Sequence, residues 1–443
     1  MNQTAYRAQL LTFHGDPAQS SNAAVFNEDG LLIVEDGHVV ASGAYAALSN
    51  QLAPDTQVTE MRGKLIVPGF IDTHIHYPQT DMIASPAPGL LPWLNTYTFP
   101  TERRFEDMAY ARDTAMFFVD ELLACGTTTA LVYSTVHKQS ADALFAESEL
   151  RNLRMVAGKV LMDRNCPEFL RDTAQSGYDD SRELIDRWHN RGRQMYALTP
   201  RFAPTSTEAQ LEACGVLARE HQDVFIQSHV AENTDEVKWV ADLFPGHRSY
   251  LDIYDHYGLL RRRAVYGHCI YLDDEDRRRM AQTGAVASHC PTSNLFLGSG
   301  LFDFDKAGEA GMPVALATDV GGGTSFSMLQ TMNEAHKVAR LNGHHLTATR
   351  MFWLATAGAA EALDLADKVG TLRAGAEADF VVLDPAATPL LARRNARCES
   401  LEELLFSFAL LGDDRAVFET YAAGKRVHQR DVVKEQVVCI AAV

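Results

Sequence analysis

The stretch Lys64-Leu-Ile-Val-Pro-Gly-Phe-Ile-Asp-Thr-His-Ile-His76 is an apolar run that ends with two histidines one residue apart. Side chains at positions i and i+2 of a β-strand point to the same face, so His74 and His76 are predicted to stand side by side at a strand end. Two imidazoles with this spacing can share one divalent cation. An isolated pair also fits two ordinary polar residues leaving a strand, so the rest of the chain must decide.

Eight short apolar segments predict the fold class. We interpret them as buried strands over residues 65–71, 129–134, 155–161, 195–199, 224–228, 264–267, 285–288 and 314–318. Longer stretches with helical spacing separate them. Buried strands that alternate with amphipathic helices indicate a parallel sheet covered by helices, and eight repeats favour a closed α/β (β/α)8 TIM barrel over an open sheet. We expect this barrel to span residues 65–369.

Both ends of the chain are rich in strand-forming residues. The run from Leu31 to Ala41 contains Asp36-Gly37 between two apolar segments, which is a strong hairpin signal. Residues 379–383 indicate a further strand, and residues 421–427 indicate a hairpin around Ala423-Gly424. The two ends could be unrelated appendages. Because a lone hairpin is marginally stable, we expect residues 1–64 and 370–443 to form one small β-sandwich domain together.

The amino-acid composition of the chain restricts the kinds of binding partner it can have. The 443 residues carry a net charge of −18, from 40 basic and 58 acidic residues. This balance argues against general affinity for nucleic acid or for anionic membrane surfaces, and favours a small molecule as the partner. The first residues lack the apolar core of a signal peptide, and no uncharged apolar run approaches the roughly 18 residues of a membrane helix. We expect a soluble, cytoplasmic protein.

The cysteines fit a reducing compartment. Seven of them are scattered along the chain without a Cys-x-x-Cys pair. This pattern argues against a disulfide framework and against a cysteine zinc cluster. Cys290 could suggest a thiol nucleophile, but no base is predicted beside it, so we expect a buried, inert thiol.

Other residues that can bind metals fall at the ends of three further predicted strands. His229 and Glu232 follow the fifth strand, His268 ends the sixth, and Asp319 follows the eighth. Each alone fits a capping or buried polar residue. A barrel keeps its active site at the carboxyl ends of its strands, so we expect these side chains to converge on the histidine pair. Three imidazoles and a carboxylate suit Zn²⁺ or Fe²⁺, with an open position for water.

The fourth predicted strand bears on the number of metal ions. A site with two metals needs a bridging anionic ligand, often a modified lysine on that strand, and residues 195–199 contain no lysine. One metal ion per chain is therefore favoured. Lys159 lies in the third predicted strand. We expect it to be a structural residue or to lie outside the shell of direct metal ligands.

These motifs resemble the amidohydrolase superfamily, whose ATZ/TRZ-like members hydrolyse C–N bonds in a metal-bearing barrel with a small β-sandwich. The resemblance lies in residues 68–76, 229–232, 267–268 and 318–319. Longer blocks at 76–79, 93–103, 199–205 and 289–300 are similar to the guanine deaminases of this superfamily, which convert guanine to xanthine and ammonia. The similarity spans nearly the whole chain.

The resemblance implies a role for each site residue. It implies one zinc ion, or Fe²⁺, with ligands drawn from His74, His76, His229, His268 and Asp319, where His268 binds the metal directly or only orients its water. Asp319 would accept a proton from water, His268 would support the attack, and Glu232 would shuttle a proton to the substrate. Guanine would contact His76, Gln79, Arg201, Phe202, His229, Glu232 and Asp319.

Two alternatives stay open at this point. The substrate could be another amino-substituted heterocycle, such as 8-oxoguanine or a pterin, or the barrel could bind a ligand or partner protein without catalysis. The complete ligand set argues against an idle barrel. The cytidine-deaminase type of zinc enzyme is excluded because its His-x-Glu and Pro-Cys-x-x-Cys signature is absent. The resemblance also implies a homodimer.

Overall fold

The computed structural model describes residues 3–20, 22–86 and 88–430. Its β-strands are β1 Gln3–Phe13, β2 Ala24–Glu35, β3 His38–Ala44, β4 Gln57–Pro68, β5 Phe70–His76, β6 Thr127–Tyr133, β7 Arg154–Gly158, β8 Val160–Leu161, β9 Gln194–Pro200, β10 Phe225–Val230, β11 Ala264–His268, β12 Val286–His289, β13 Val314–Leu316, β14 Phe380–Leu383, β15 Val417–Ala422 and β16 Lys425–Gln429.

The α-helices cover the barrel and one side of the small sheet. They are α1 Tyr45–Leu48, α2 Leu90–Trp93, α3 Phe99–Arg103, α4 Met108–Ala124, α5 Lys138–Leu150, α6 Ala174–Trp188, α7 Glu208–Glu220, α8 Thr234–Leu243, α9 Tyr250–His256, α10 Asp274–Thr283, α11 Pro291–Phe296, α12 Phe304–Ala310, α13 Met328–Leu341, α14 Ala348–Leu354, α15 Ala357–Ala362, α16 Pro389–Asn395 and α17 Leu401–Leu411.

The barrel is built from parallel strands in the order β5-β6-β7-β9-β10-β11-β12-β13, with β8 continuing the line of β7 beside β9. Its first and last strands are joined by backbone hydrogen bonds, from Asp319 N–H to the His74 carbonyl at 2.9 Å and from His76 N–H to the Val320 carbonyl at 2.8 Å. The predicted (β/α)8 barrel is therefore confirmed.

The barrel interior is filled by one apolar cluster. It contains residues from every barrel strand, including Ile71, Leu131, Val156, Ala197, Phe225, Val265, Val286 and Ala315. Such a layer makes the barrel a packed core and leaves chemistry to the carboxyl ends of the strands.

The first barrel strand differs from its prediction. A single strand was expected over 65–71, but Leu65–Pro68 ends β4 of the small sheet, paired with β14, and the barrel strand β5 starts at Phe70. The break falls at Gly69, where a Cβ would lie 2.1 Å from Oγ1 of Thr128. Only glycine lets the chain pass this close to β6 as it crosses from the sheet to the barrel.

The two ends of the chain form a seven-stranded sheet in the order β16-β15-β14-β4-β1-β2-β3. The prediction of one small β domain from both termini is confirmed, and so are the hairpins at Asp36-Gly37 and Ala423-Gly424. The domain limits 1–64, 65–369 and 370–443 stay predictions. Residues 431–443, with Cys439, lie outside the described residues.

Buried ion pairs connect the small sheet to the barrel. Arg193 donates to Asp379 at 2.5 Å and to Glu377 at 2.6 Å, and Arg154 also donates to Glu377. In the part of the chain that the structure describes, the cysteines are free, and no helix is long and apolar enough to span a bilayer.

Candidate metal centre and pocket

Three histidines and one aspartate converge at the carboxyl ends of the barrel strands. His74 and His76 end β5, His229 lies in β10, and Asp319 follows β13. Nε2 of His76 lies 3.2 Å from Nε2 of His229. Oδ1 of Asp319 lies 3.3 Å from Nε2 of His74 and 3.4 Å from Nε2 of His76. The structure thus brings together side chains that are up to 245 residues apart in the chain (319 − 74).

The chemistry of this donor set fits one divalent cation. The four ligand atoms lie within 4.8 Å of one another. Burial lowers the pKa of His74, His76 and His229, which favours neutral rings that can each offer a lone pair. Neither ring nitrogen of His74 has a hydrogen-bond partner, although the side chain is buried. Unpartnered nitrogens beside a carboxylate are expected where a metal ion completes the site.

Asp319 supplies the negative charge of this set. Burial alone would raise the pKa of its carboxyl group, but His74, His268 and His229 lower it to about 2. Its backbone adopts the left-handed region, with φ of 52°, and His268 does so with φ of 71°. Such conformations are unfavourable for side chains with a Cβ and cluster at functional sites.

Asp72 lies next to the site and positions His74 and Thr318, the residue before Asp319. This role was not predicted from the sequence. Its carboxylate accepts the backbone N–H of His74 at 3.2 Å and the N–H of Thr318 at 3.1 Å. The Thr318 hydroxyl donates to the same carboxylate at 2.5 Å. Burial raises the pKa of Asp72 to about 7. This residue ties the first barrel strand to the last, and so holds His74 against Asp319.

His268 lies between the two carboxylates assigned to catalysis. Its Nε2 is 3.3 Å from Glu232 Oε2 and 3.7 Å from Asp319 Oδ2, while its Nδ1 lies 2.8 Å from Oδ1 of Asn294. The hydroxyl of Ser299 donates to Glu232 Oε1 at 2.8 Å. Burial raises the pKa of Glu232, which favours a carboxyl group that can carry a proton.

Glu236 fixes the loop that carries Glu232, and the sequence prediction did not include it. Its Oε2 accepts the backbone N–H of Glu232 at 2.9 Å and that of Asn233 at 3.1 Å, and its Oε1 lies 2.8 Å from the Tyr250 hydroxyl. Burial and the nearby Glu232 raise the pKa of Glu236 to about 7. The signal that could have located it is the capping box of α8, in which Asn233 is followed three residues later by Glu236.

Three of the predicted substrate contacts, Arg201, Gln79 and Phe202, line the site and contact neighbouring residues. The Nη1 of Arg201 lies 2.8 Å from both carboxylate oxygens of Glu102, which the prediction had not singled out. Gly321 N–H donates to Oε1 of Gln79 at 3.1 Å. Phe202 is buried and contacts Trp239 edge to face, with ring centroids 6.2 Å apart.

Many of these groups line one pocket at the carboxyl ends of the barrel strands. Its lining combines the predicted site residues with apolar side chains from the segment after β5. The lining residues are His76, Gln79, Leu90, Trp93, Leu94, Arg201, Phe202, His229, Glu232, Glu236, His268, Ser293, Leu297, Asp319 and Gly322. A mostly apolar pocket with a few convergent polar groups suits a flat heterocycle.

The structure shows the environments of two further residues from the sequence analysis, Lys159 and Cys290. Lys159 is fully buried and donates to Asp172 at 2.5 Å, as expected for a structural role. Cys290 is buried, and burial raises the pKa of its thiol well above the ordinary value, which disfavours the nucleophilic thiolate. Its sulfur lies within 4.8 Å of ligand atoms of His74, His268 and Asp319.

Comparison with known proteins agrees with this geometry. Residues 65–427 match the Amidohydrolase family. Guanine deaminase of Escherichia coli (strain K12) is 49% identical over 416 residues, which are 94% of this chain and 95% of that protein. The structure called E. coli Guanine Deaminase matches with a TM-score of 0.94 and 46% identity, covering 97% of this chain and 100% of that one.

A further solved structure, guanine deaminase from C. acetobutylicum with bound guanine in the active site, matches with a TM-score of 0.86 and 26% identity, and the match covers 96% of this chain and 100% of that one. The family match extends over the barrel strands that carry the histidines and Asp319. The chain belongs to the amidohydrolase family.

Proposed function

We propose that this chain hydrolyses guanine to xanthine and ammonia. The observation that carries the proposal is the single pocket in which Arg201 and Gln79 face the same space as Glu232, His268 and Asp319. Relatives named guanine deaminases, similar over nearly the whole chain, support the choice of substrate.

The proposed metal is one zinc ion per chain, with Fe²⁺ as an alternative. His74, His76, His229 and Asp319 would hold it, and His268 would face the attacking water, since its Nε2 points between two carboxylates. Described strand β9 contains no lysine that could bridge a second metal. A bound divalent cation lowers the pKa of water and supplies a nucleophile near neutral pH.

Proton transfer is assigned to the two carboxylates. Asp319 accepts a proton from the attacking water as the C2–O bond forms. Glu232 donates a proton to ring nitrogen N3, which reduces the aromaticity at C2. It then takes the proton of the C2 hydroxyl as the carbonyl forms and passes it to the exocyclic amine, so that the C2–N bond breaks and ammonia leaves. The proton held by Asp319 restores Glu232. The hydrogen bond from Ser299 holds Glu232 in place for these transfers.

Substrate choice follows from the donors at the pocket wall. A 6-oxo group offers an acceptor to the Arg201 guanidinium, whereas the 6-amino group of adenine places a donor there and leaves a buried donor unpaired. A site built on such hydrogen bonds can reject the wrong partner by about 10⁴-fold.

A substrate panel tests the proposal. Ammonia release from metal-loaded protein is measured with guanine, 8-oxoguanine, pterin, adenine and guanosine. We expect the highest kcat/KM with guanine and no turnover of adenine. A higher value for 8-oxoguanine or pterin would identify the alternative deaminase, and absence of ammonia from every compound would indicate a barrel without this catalysis.

Two further predictions from the sequence belong with this proposal. We propose that the protein acts in the cytoplasm and forms a homodimer. Light scattering on a sizing column measures the mass of the particle, and a mass near 48.9 kDa would show a monomer instead.

A further inference from the structure

A buried ion pair lies at the predicted substrate pocket, whose lining includes Arg201. The side chains of Arg201 and Glu102 are 3% and 0% exposed, and Nη1 of Arg201 lies 2.8 Å from each carboxylate oxygen. Burial raises the pKa of Glu102, and Arg201 and Gln79 lower it in part. Because Oε1 of Gln79 accepts from Gly321 N–H, the amide NH₂ is the group of Gln79 that can donate.

The ion pair between Arg201 and Glu102 changes which ligands the guanidinium group binds preferentially. An unpaired guanidinium in a pocket wall binds carboxylates, phosphates and other anions strongly. The Glu102 carboxylate cancels that charge, and it leaves the remaining N–H groups of Arg201 able to donate to a neutral carbonyl. The carboxylates of Glu232 and Glu236 line the same pocket and add no positive charge.

We propose that Glu102 is a specificity-determining residue that makes the pocket favour neutral purines over purine anions. The inference rests on the proposed function, since the ligand class is taken from it. It has a consequence for the product: xanthine has two ring carbonyls and loses a ring proton more readily than guanine does. A pocket wall in which Glu102 pairs with Arg201 therefore holds the xanthine anion more weakly than an unpaired guanidinium would, which favours product release.

The test measures binding and needs no turnover. Affinities of the metal-loaded protein for xanthine and for hypoxanthine are determined by calorimetry at mildly alkaline pH, where xanthine is mainly an anion and hypoxanthine is mainly neutral. Glu102→Gln keeps the shape and removes the charge. We expect it to raise the ratio of xanthine affinity to hypoxanthine affinity by about tenfold or more, because an unscreened charge at close range exceeds the energy of a tenfold change.

Two further variants guard against a folding defect. Glu102→Met removes the same charge with an apolar side chain and should shift the ratio in the same direction, whereas Glu102→Asp keeps the charge and should stay close to the parent. The matched control is Glu377→Gln, which removes a carboxylate from buried arginines outside the pocket and should not change the ratio.

The outcomes separate the two proposals. An unchanged ratio in folded Glu102→Gln and Glu102→Met overturns the role of Glu102, even if guanine is a good substrate. A raised ratio with no release of ammonia from guanine supports Glu102 and contradicts the proposed reaction. Absence of binding of either purine to any of the proteins contradicts both.

Discussion

The backbone carbonyl oxygen of Arg201 lies 2.6 Å from Nδ1 of His229. This contact assigns the proton of the imidazole to Nδ1 and leaves Nε2 unprotonated toward His76 and Asp319. The side chain of the same arginine faces the pocket beside Glu102. Arg201 thus orients a candidate metal ligand through its backbone, while its side chain lines the pocket proposed for the substrate.

Replacement of the Arg201 side chain should separate these two roles. Arg201→Ala keeps the carbonyl, so we expect unchanged metal content by elemental analysis. Loss of a hydrogen bond from a charged donor should lower kcat/KM for guanine by roughly 10- to 100-fold. Loss of metal together with activity would contradict this division of roles.

Arg201→Ala should also destabilise the fold, because Glu102 is left buried without its partner. We expect a loss of roughly 3–5 kcal/mol in the free energy of unfolding. The double variant Arg201→Ala/Glu102→Gln should recover part of this loss in denaturant unfolding. Equal stability of the single and double variants would show that the pair is not coupled.

His74→Ala should abolish metal binding and turnover while the protein stays folded. The apolar cluster inside the barrel does not depend on the metal, and removal of the ring leaves this cluster unchanged. We expect kcat to fall by about 10³-fold or more. Elemental analysis should give close to one equivalent of metal in the parent and little in the variant, with exposed His345→Ala as the control. Two equivalents required for full activity would contradict the mononuclear site.

Glu232→Gln should lower kcat without loss of metal. The amide keeps the shape and can still accept from Ser299, but it cannot alternately donate and accept a proton. We expect a decrease of roughly 10²- to 10⁴-fold, as is typical of general acid–base catalysis. The exposed Glu309→Gln serves as the matched control. A kcat near that of the parent would remove Glu232 from the proton-transfer role.

Glu236 should make the stability of the folded protein depend measurably on pH. Its pKa is raised from 4.5 to about 7, so the folded state binds this proton more tightly than the unfolded state does. The stability contributed by the protonated form is complete below pH 4.5 and is lost as the pH rises through about 7.

The measurement compares the parent with Glu236→Gln, which cannot titrate. Between these pH values, the stability of the parent should fall relative to the variant by on the order of 3 kcal/mol. Both proteins carry Asp72, whose similar shift cancels in the comparison. Exposed Glu208→Gln should show the pH dependence of the parent. Parallel pH profiles for the parent and Glu236→Gln would contradict the assignment.

The sequence alone determined the architecture and the identity of the candidate ligands. Apolar segments alternating with helical spacing are local patterns, and they were sufficient to predict the barrel and the small β domain from both termini. His74, His76, His229 and Asp319 could be named because a barrel places the carboxyl ends of all its strands at one face. The position of a residue at a strand end was enough to predict its place in the site.

Only the tertiary structure decided which side chains support that site. Asp72 and Glu102 are buried carboxylates whose partners include residues far along the chain, and no local pattern predicts an acceptor for another strand's N–H groups. The capping box of α8 could have located Glu236, but its contact with Tyr250 depends on the tertiary structure. The break at Gly69 likewise depends on its approach to Thr128 of a neighbouring strand. Periodicity reports which face of an element is buried, whereas hydrogen-bond partners and charge pairing depend on distances that exist only after the strands have come together.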